Sequence, residues 1–149
     1  MAQDNERETE KVLTTTEDIL RAMEADLSAR FYRNANEQFL LGVYSTTNNS
    51  PFLIFEVTSF SSAYADVLDW ERFMGANLAP LFGKNSQDFA RANFSDVVLF
   101  NKDVRAVFDD AGEVIFGYSF VDQETLVIFE NKLALREIST RLQTNRLRE

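Results

Sequence analysis

Apolar residues recur at helical spacing through Ile19, Leu20, Met23, Leu27 and Phe31, which predicts a helix from about residue 14 to Arg33. Its start is marked by Thr14, Thr15 and Thr16 ahead of Glu17 and Asp18: a threonine hydroxyl can accept from a free first-turn amide, and Thr14 with Glu17 fits a capping box. Asn34-Ala35-Asn36 ends it. Two short apolar runs follow, residues 39–44 and 52–57, with a turn cluster at 46–51 between them, and together they predict a hairpin with a longer loop. Both runs are apolar at successive positions, so both strands are expected to be covered on two faces and central in their sheet.

A second amphipathic stripe, Tyr64, Val67, Leu68, Trp70, Met74, Leu78 and Leu81, predicts a helix against the sheet, capped by Ser61 or Ser62 and stapled by Phe60. Pro80 disfavours helix at Ala79 and ends or kinks it there. Residues 84–92 read as a polar connection anchored by Phe89. Four strands in quick succession then occupy about 97–100, 104–108, 114–121 and 126–129, joined by an Asp109-Asp110-Ala111-Gly112 hairpin loop and an Asp122-Gln123-Glu124 reversal. Asn131 caps a last helix whose Leu135, Ile138 and Leu142 share one face.

The order α-ββ-α-ββββ-α predicts an α+β fold, a mostly antiparallel sheet of five or six strands with three helices. Residues 1–13 read as a polar leader, 14–145 as a single domain and 146–149 as a basic tail. The expected core comprises Leu41, Val43, Leu53, Phe55, Leu68, Trp70, Val98, Val107, Ile115, Phe120, Val127 and Ile138. Helices confined to one face would leave the other an exposed field of Val, Ile and Phe, so helices on both faces, a homodimer or a missing partner segment is expected.

The chain has neither cysteine nor histidine, which removes disulfides, thiol nucleophiles, Cys/His zinc sites, Ser-His-Asp triads and imidazole bases together. Its net charge is −9. Only the last nineteen residues are basic, with five bases against two acids; the acidic remainder repels nucleic acid, and cations suit a helix C-terminus in any case. No apolar run reaches the roughly 18–20 residues of a membrane span, and the polar start is unlike a signal peptide.

Candidate chemistry is sparse. Asp66, Asp69 and Glu71 surround Trp70, an arrangement reminiscent of glycoside hydrolysis, although a charged outer stripe of a helix accounts for it more simply. Lys102 and Arg105, close to Asp103, either pair across a turn or grip an anion. Asp109, Asp110 and Glu113 miss the calcium-loop spacing and read as a turn. Glycines at 42, 75, 83, 112 and 117 form no phosphate-binding motif. No cofactor or metal is expected, and Asp69, Trp70, Glu71, Lys102 and Arg105 are the weak site candidates. Asn48-Asn49-Ser50 and Asn93-Phe94-Ser95 match the glycosylation triplet without further support. The fourteen phenylalanines sit mostly in strand runs and read as core.

Over residues 39–145, at Phe52-Leu53-Ile54, Leu68-Asp69-Trp70-Glu71, Leu78-Ala79-Pro80-Leu81-Phe82, Asn101-Lys102-Asp103-Val104-Arg105 and Tyr118-Ser119-Phe120-Val121-Asp122-Gln123-Glu124-Thr125-Leu126-Val127-Ile128, the chain resembles the C-terminal domain of uncharacterised proteins of Parcubacteria-type candidate-phyla bacteria. The resemblance implies a domain behind a single N-terminal membrane helix, hence an extracytoplasmic setting with the anchor outside this chain. It implies no activity and no site residues. The element order is also similar to the roadblock and longin platforms, dimerising modules; that likeness of order carries no function by itself.

The expectation is therefore a non-enzymatic protein-protein interaction or assembly domain, extracytoplasmic in a membrane-anchored bacterial protein, with a protein partner or a second copy as its ligand. A cytosolic roadblock/longin-like regulatory dimer is the alternative. A carboxylate-based hydrolase using Asp69 and Glu71 is the second alternative.

Overall fold

In a computed structural model describing residues 15–45, 49–84, 89 and 93–148, a six-stranded antiparallel sheet carries helices on both faces. The elements are α1 (Thr16–Ala22), α2 (Ala29–Asn34), β1 (Ala35–Ser45), β2 (Asn49–Val57), α3 (Phe60–Leu78), β3 (Ser95–Leu99), β4 (Lys102–Phe108), β5 (Val114–Asp122), β6 (Thr125–Phe129) and α4 (Lys132–Arg148). Across the sheet the strands run β1-β2-β6-β5-β4-β3, so the hairpin β1–β2 joins the meander β3 to β6 through β2 and β6. The fold is α+β, as the sequence predicts.

Four helices stand among the described residues where three are expected, because the first predicted helix is two. Glu24 takes φ 56°, and the bonds Glu24 N to Arg21 O (2.9 Å) and Ala25 N to Leu20 O (2.9 Å) close α1 in a Schellman-type cap. Ser28 then caps α2 by accepting from Phe31 N. Thr15, not Thr14, caps α1, with Asp18 completing the box. Likewise Ser59 caps α3 where Ser61 or Ser62 is predicted, and α3 ends at Leu78 ahead of Pro80. Asn131 caps α4 as expected, accepting from Leu133 N at 2.8 Å. Residues 1–14, 46–48, 85–88, 90–92 and 149 lie outside the described residues, and with them the leader, the tip of the first hairpin and most of the polar connection.

Strand alternation sends side chains to two cores. Leu53 and Phe55 of β2, Phe116 and Tyr118 of β5 and Leu126 and Ile128 of β6 meet Val67, Trp70, Met74 and Leu78 of α3, with Leu20 and Phe31 from α1 and α2. Val104, Ala106, Val127 and Phe129 meet Ala134, Leu135 and Ile138 of α4 on the opposite face. Phe89 is buried and stacks on Phe116 at 4.7 Å, which makes it the anchor the sequence suggests. The β3–β4 turn is only Phe100-Asn101, both with positive φ (53° and 66°) as a tight hairpin requires. Asn suits that geometry; Phe100 is held there with the Arg136 guanidinium 5.7 Å above its ring.

The predicted core is partly right. Leu53, Phe55, Trp70, Val107, Val127 and Ile138 are buried, and Ile115 and Phe120 are half-buried. Leu41, Val43, Leu68 and Val98 are exposed. Leu68 lies off the buried 63, 67, 70, 74, 78 stripe of α3. The other three sit on outermost strands, and β1 is an edge where a central strand is predicted.

Candidate functional site

The candidate residues of α3 separate. Trp70 is buried and donates to Asn77 Oδ1 at 2.7 Å, an oxygen that also receives Asp26 N at 3.1 Å. Asn77, held by Trp70 on the same helix, therefore ties α3 to the segment after α1. Asp66 is buried and grips Arg30 of α2 through both carboxylate oxygens. Asp69 is exposed and adds only its field at that guanidinium, whose pKa is raised first by the Asp66 hydrogen bond. Glu71 turns into the contact between α3 and the sheet. There it takes Arg105 in a two-point pair at 2.8 and 2.7 Å and accepts the Tyr118 hydroxyl. Arg105 also reaches Asp96 at 3.0 Å.

Lys102 and Arg105 do not converge on an anion. Three residues apart on a strand, they leave opposite faces: Lys102 donates to the Val121 carbonyl at 3.0 Å, while Arg105 is consumed by Glu71 and Asp96. Asp109 accepts from Ala111 N and Glu113 N, and Gly112 takes φ 84°, so this acidic cluster is a turn. Among the described residues no group of three or more acidic side chains is placed to hold a metal. Tyr118 and Asn34 are structural keystones that sequence spacing does not flag. Asn34 accepts from Thr58 N (3.0 Å) and Ser59 N (2.7 Å) and donates to Ser59 O (2.8 Å), which locks the start of β1 to the junction of β2 and α3.

Burial, then the hydrogen bond to Glu71, hold the Tyr118 hydroxyl well above the ordinary tyrosine range. The fold keeps this proton where the unfolded chain, titrating near pH 10, releases it. The resulting stabilisation is complete below about pH 10 and is lost as pH rises toward the folded-state value. Denaturant titrations at about pH 9 and about pH 11 should show stability falling, and Tyr118→Phe should flatten that fall. An unchanged slope in the variant would place the Tyr118 proton elsewhere.

What remains free is surface. Of the large apolar side chains exposed on the protein, Leu40 (51%), Leu41 (47%) and Val43 (56%) are neighbours on β1. Residues 39–45 carry no charge, and among the described residues one side of β1 has no strand beside it. Next to it, on the α4 face, Tyr44, Phe52 and Ile138 line a groove of about 400 Å³ with Glu137 and Arg141 on its rim. Gly42 leaves room for the Phe52 ring, which occupies the place of a β-carbon. At the other edge, Val98 (66%) stands beside a groove between α3 and β3. No described helix is long and apolar enough to cross a membrane. Comparison with protein-family models, with curated proteins and with solved structures finds no match to this chain.

Proposed function

We propose that the protein is a non-enzymatic assembly domain that pairs with a second copy of itself through β1, and that it works as the extracytoplasmic part of a membrane-anchored bacterial protein. The observation that carries the assembly reading is the open, uncharged, apolar edge formed by residues 39–45. Exposed edges of this kind are normally blunted by Lys, Pro or a covering loop, because their free amides and carbonyls recruit another strand. Residues 39–45 contain neither Lys nor Pro, and among the described residues no strand lies on the outer side of β1.

Charge selects the occupant. Two chains at −9 repel, and a strip without charge is where like copies can approach. An antiparallel pairing centred on Gly42 sets Leu41 of one copy against Val43 of the other, twice, and brings each Leu40 beside the Tyr44 and Phe52 groove. The result is a two-fold, self-complementary contact. The extracytoplasmic setting is supported by the resemblance of residues 39–145 to the Parcubacteria-type domains.

Sedimentation equilibrium tests the pairing. The native chain should approach twice its 17.1 kDa mass as concentration rises. The Leu41→Lys/Val43→Lys variant should remain at the monomer mass with unchanged stability, since both side chains are exposed. A native chain that stays monomeric at every concentration would contradict self-pairing.

A further inference from the structure

The second groove differs in chemistry from the first. Its volume is about 550 Å³, and it lies between the start of α3 and the edge strand β3. Phe60, Tyr64 and Phe120 form an aromatic wall, with Phe60 and Phe120 edge to face at 5.1 Å and Tyr64 5.9 Å from Phe120. Asp96 and Asp103 stand on the rim, and Val98 lies exposed beside them. Arg105, which lines an adjoining cleft with Asp96 and Asp103, is already committed to Glu71 and Asp96. Its guanidinium bonds those two and no contact joins it to the Asp103 carboxylate, so the groove keeps a negative surplus. Aromatic faces attract cations, and an aliphatic stem covers aromatic surface while its charged head reaches a carboxylate.

We infer that this groove binds the side chain of an arginine or lysine carried by an extended segment of a partner protein, which lies along the outer edge of β3, where no described strand stands. The backbone of such a segment meets the free edge of the sheet, and its alternate side chains face the groove. Arginine fits best, because its planar guanidinium stacks on a ring and bridges two carboxylates. The inference rests on the interaction-domain reading, but it uses the edge opposite β1, so its failure and a failure of self-pairing through β1 are read separately.

The probe is a short peptide of alternating valine and threonine with one central arginine, titrated into the native chain and followed by backbone amide NMR shifts. Shifts should concentrate in residues 95–99 and around Phe60 and Phe120, and raising the salt should weaken binding. Replacing the peptide arginine by glutamine, or Asp103 by asparagine, should weaken it by about tenfold, as the loss of one charge-assisted contact implies. Val98→Lys places a cation at the groove from within the chain and should abolish binding. Leu41→Lys/Val43→Lys, at the far edge, should leave it intact. Equal binding of the arginine and glutamine peptides, or equal binding of free arginine amide, would overturn the inference.

Discussion

Glu71→Ala is expected to lower the unfolding free energy by about 2–4 kcal/mol, somewhat under the range for breaking a buried pair from one side. The substitution strands two partners at once. Arg105 loses a two-point pair and Tyr118 loses its acceptor, both between α3 and the sheet. The discount has a physical origin: the Arg105 side chain is 22% exposed against 12% for Glu71, so water reaches the guanidinium, and Asp96 remains to hold it. Glu71→Gln keeps an acceptor for Tyr118 and should cost less. Urea unfolding of both variants checks this, and a loss below about 0.5 kcal/mol, within the spread of ordinary surface changes, would mean that the pair does not hold α3.

Gly75→Ala should destabilise by about 1–3 kcal/mol, although glycine to alanine in an exposed helix stabilises by about 1. The sign reverses because Gly75 faces the connection between α3 and β3. A β-carbon there would occupy the space of the Phe89 carbonyl oxygen. Nor can Phe89 withdraw freely, since its ring is buried, stacks on Phe116 at 4.7 Å and meets Phe82 edge to face. A thermal melt decides the matter by direction alone. A raised midpoint would show that the connection does not press against α3 at this point.

The elements that sequence makes legible are those whose signals are local. Asn131 ahead of α4, Pro80 after α3 and Gly112 in the β4–β5 turn each act on their own backbone, and each sits where the pattern places it. The break between α1 and α2 is invisible because its left-handed residue is Glu24, where glycine or asparagine would have announced a C-cap. The misreading of β1 has another cause. A continuous apolar run does not record where in the sheet a strand lies, and here an outermost strand carries the same pattern as a buried central one. Leu41 and Val43 are thus informative for the reason that they fail as core.

Of the candidate site, sequence shows the residue types but not their partners. Asp69, Trp70 and Glu71 are adjacent in the chain, yet they point to solvent, to the core and to the sheet respectively, because each step along a helix turns by about 100°. Arg105 and Tyr118 join Glu71 across 34 and 47 positions. Nothing local marks such pairs.

Hydrogen exchange at the β1 amides, measured as a function of protein concentration, distinguishes a β1 paired with a second copy from a free one. Pairing of β1 with β1 of a second copy predicts that amides of residues 39–45 that face away from β2 exchange slowly at high concentration and fast on dilution, while those bonded to β2 remain protected throughout. Exchange at the outward amides that is fast and independent of concentration would contradict it.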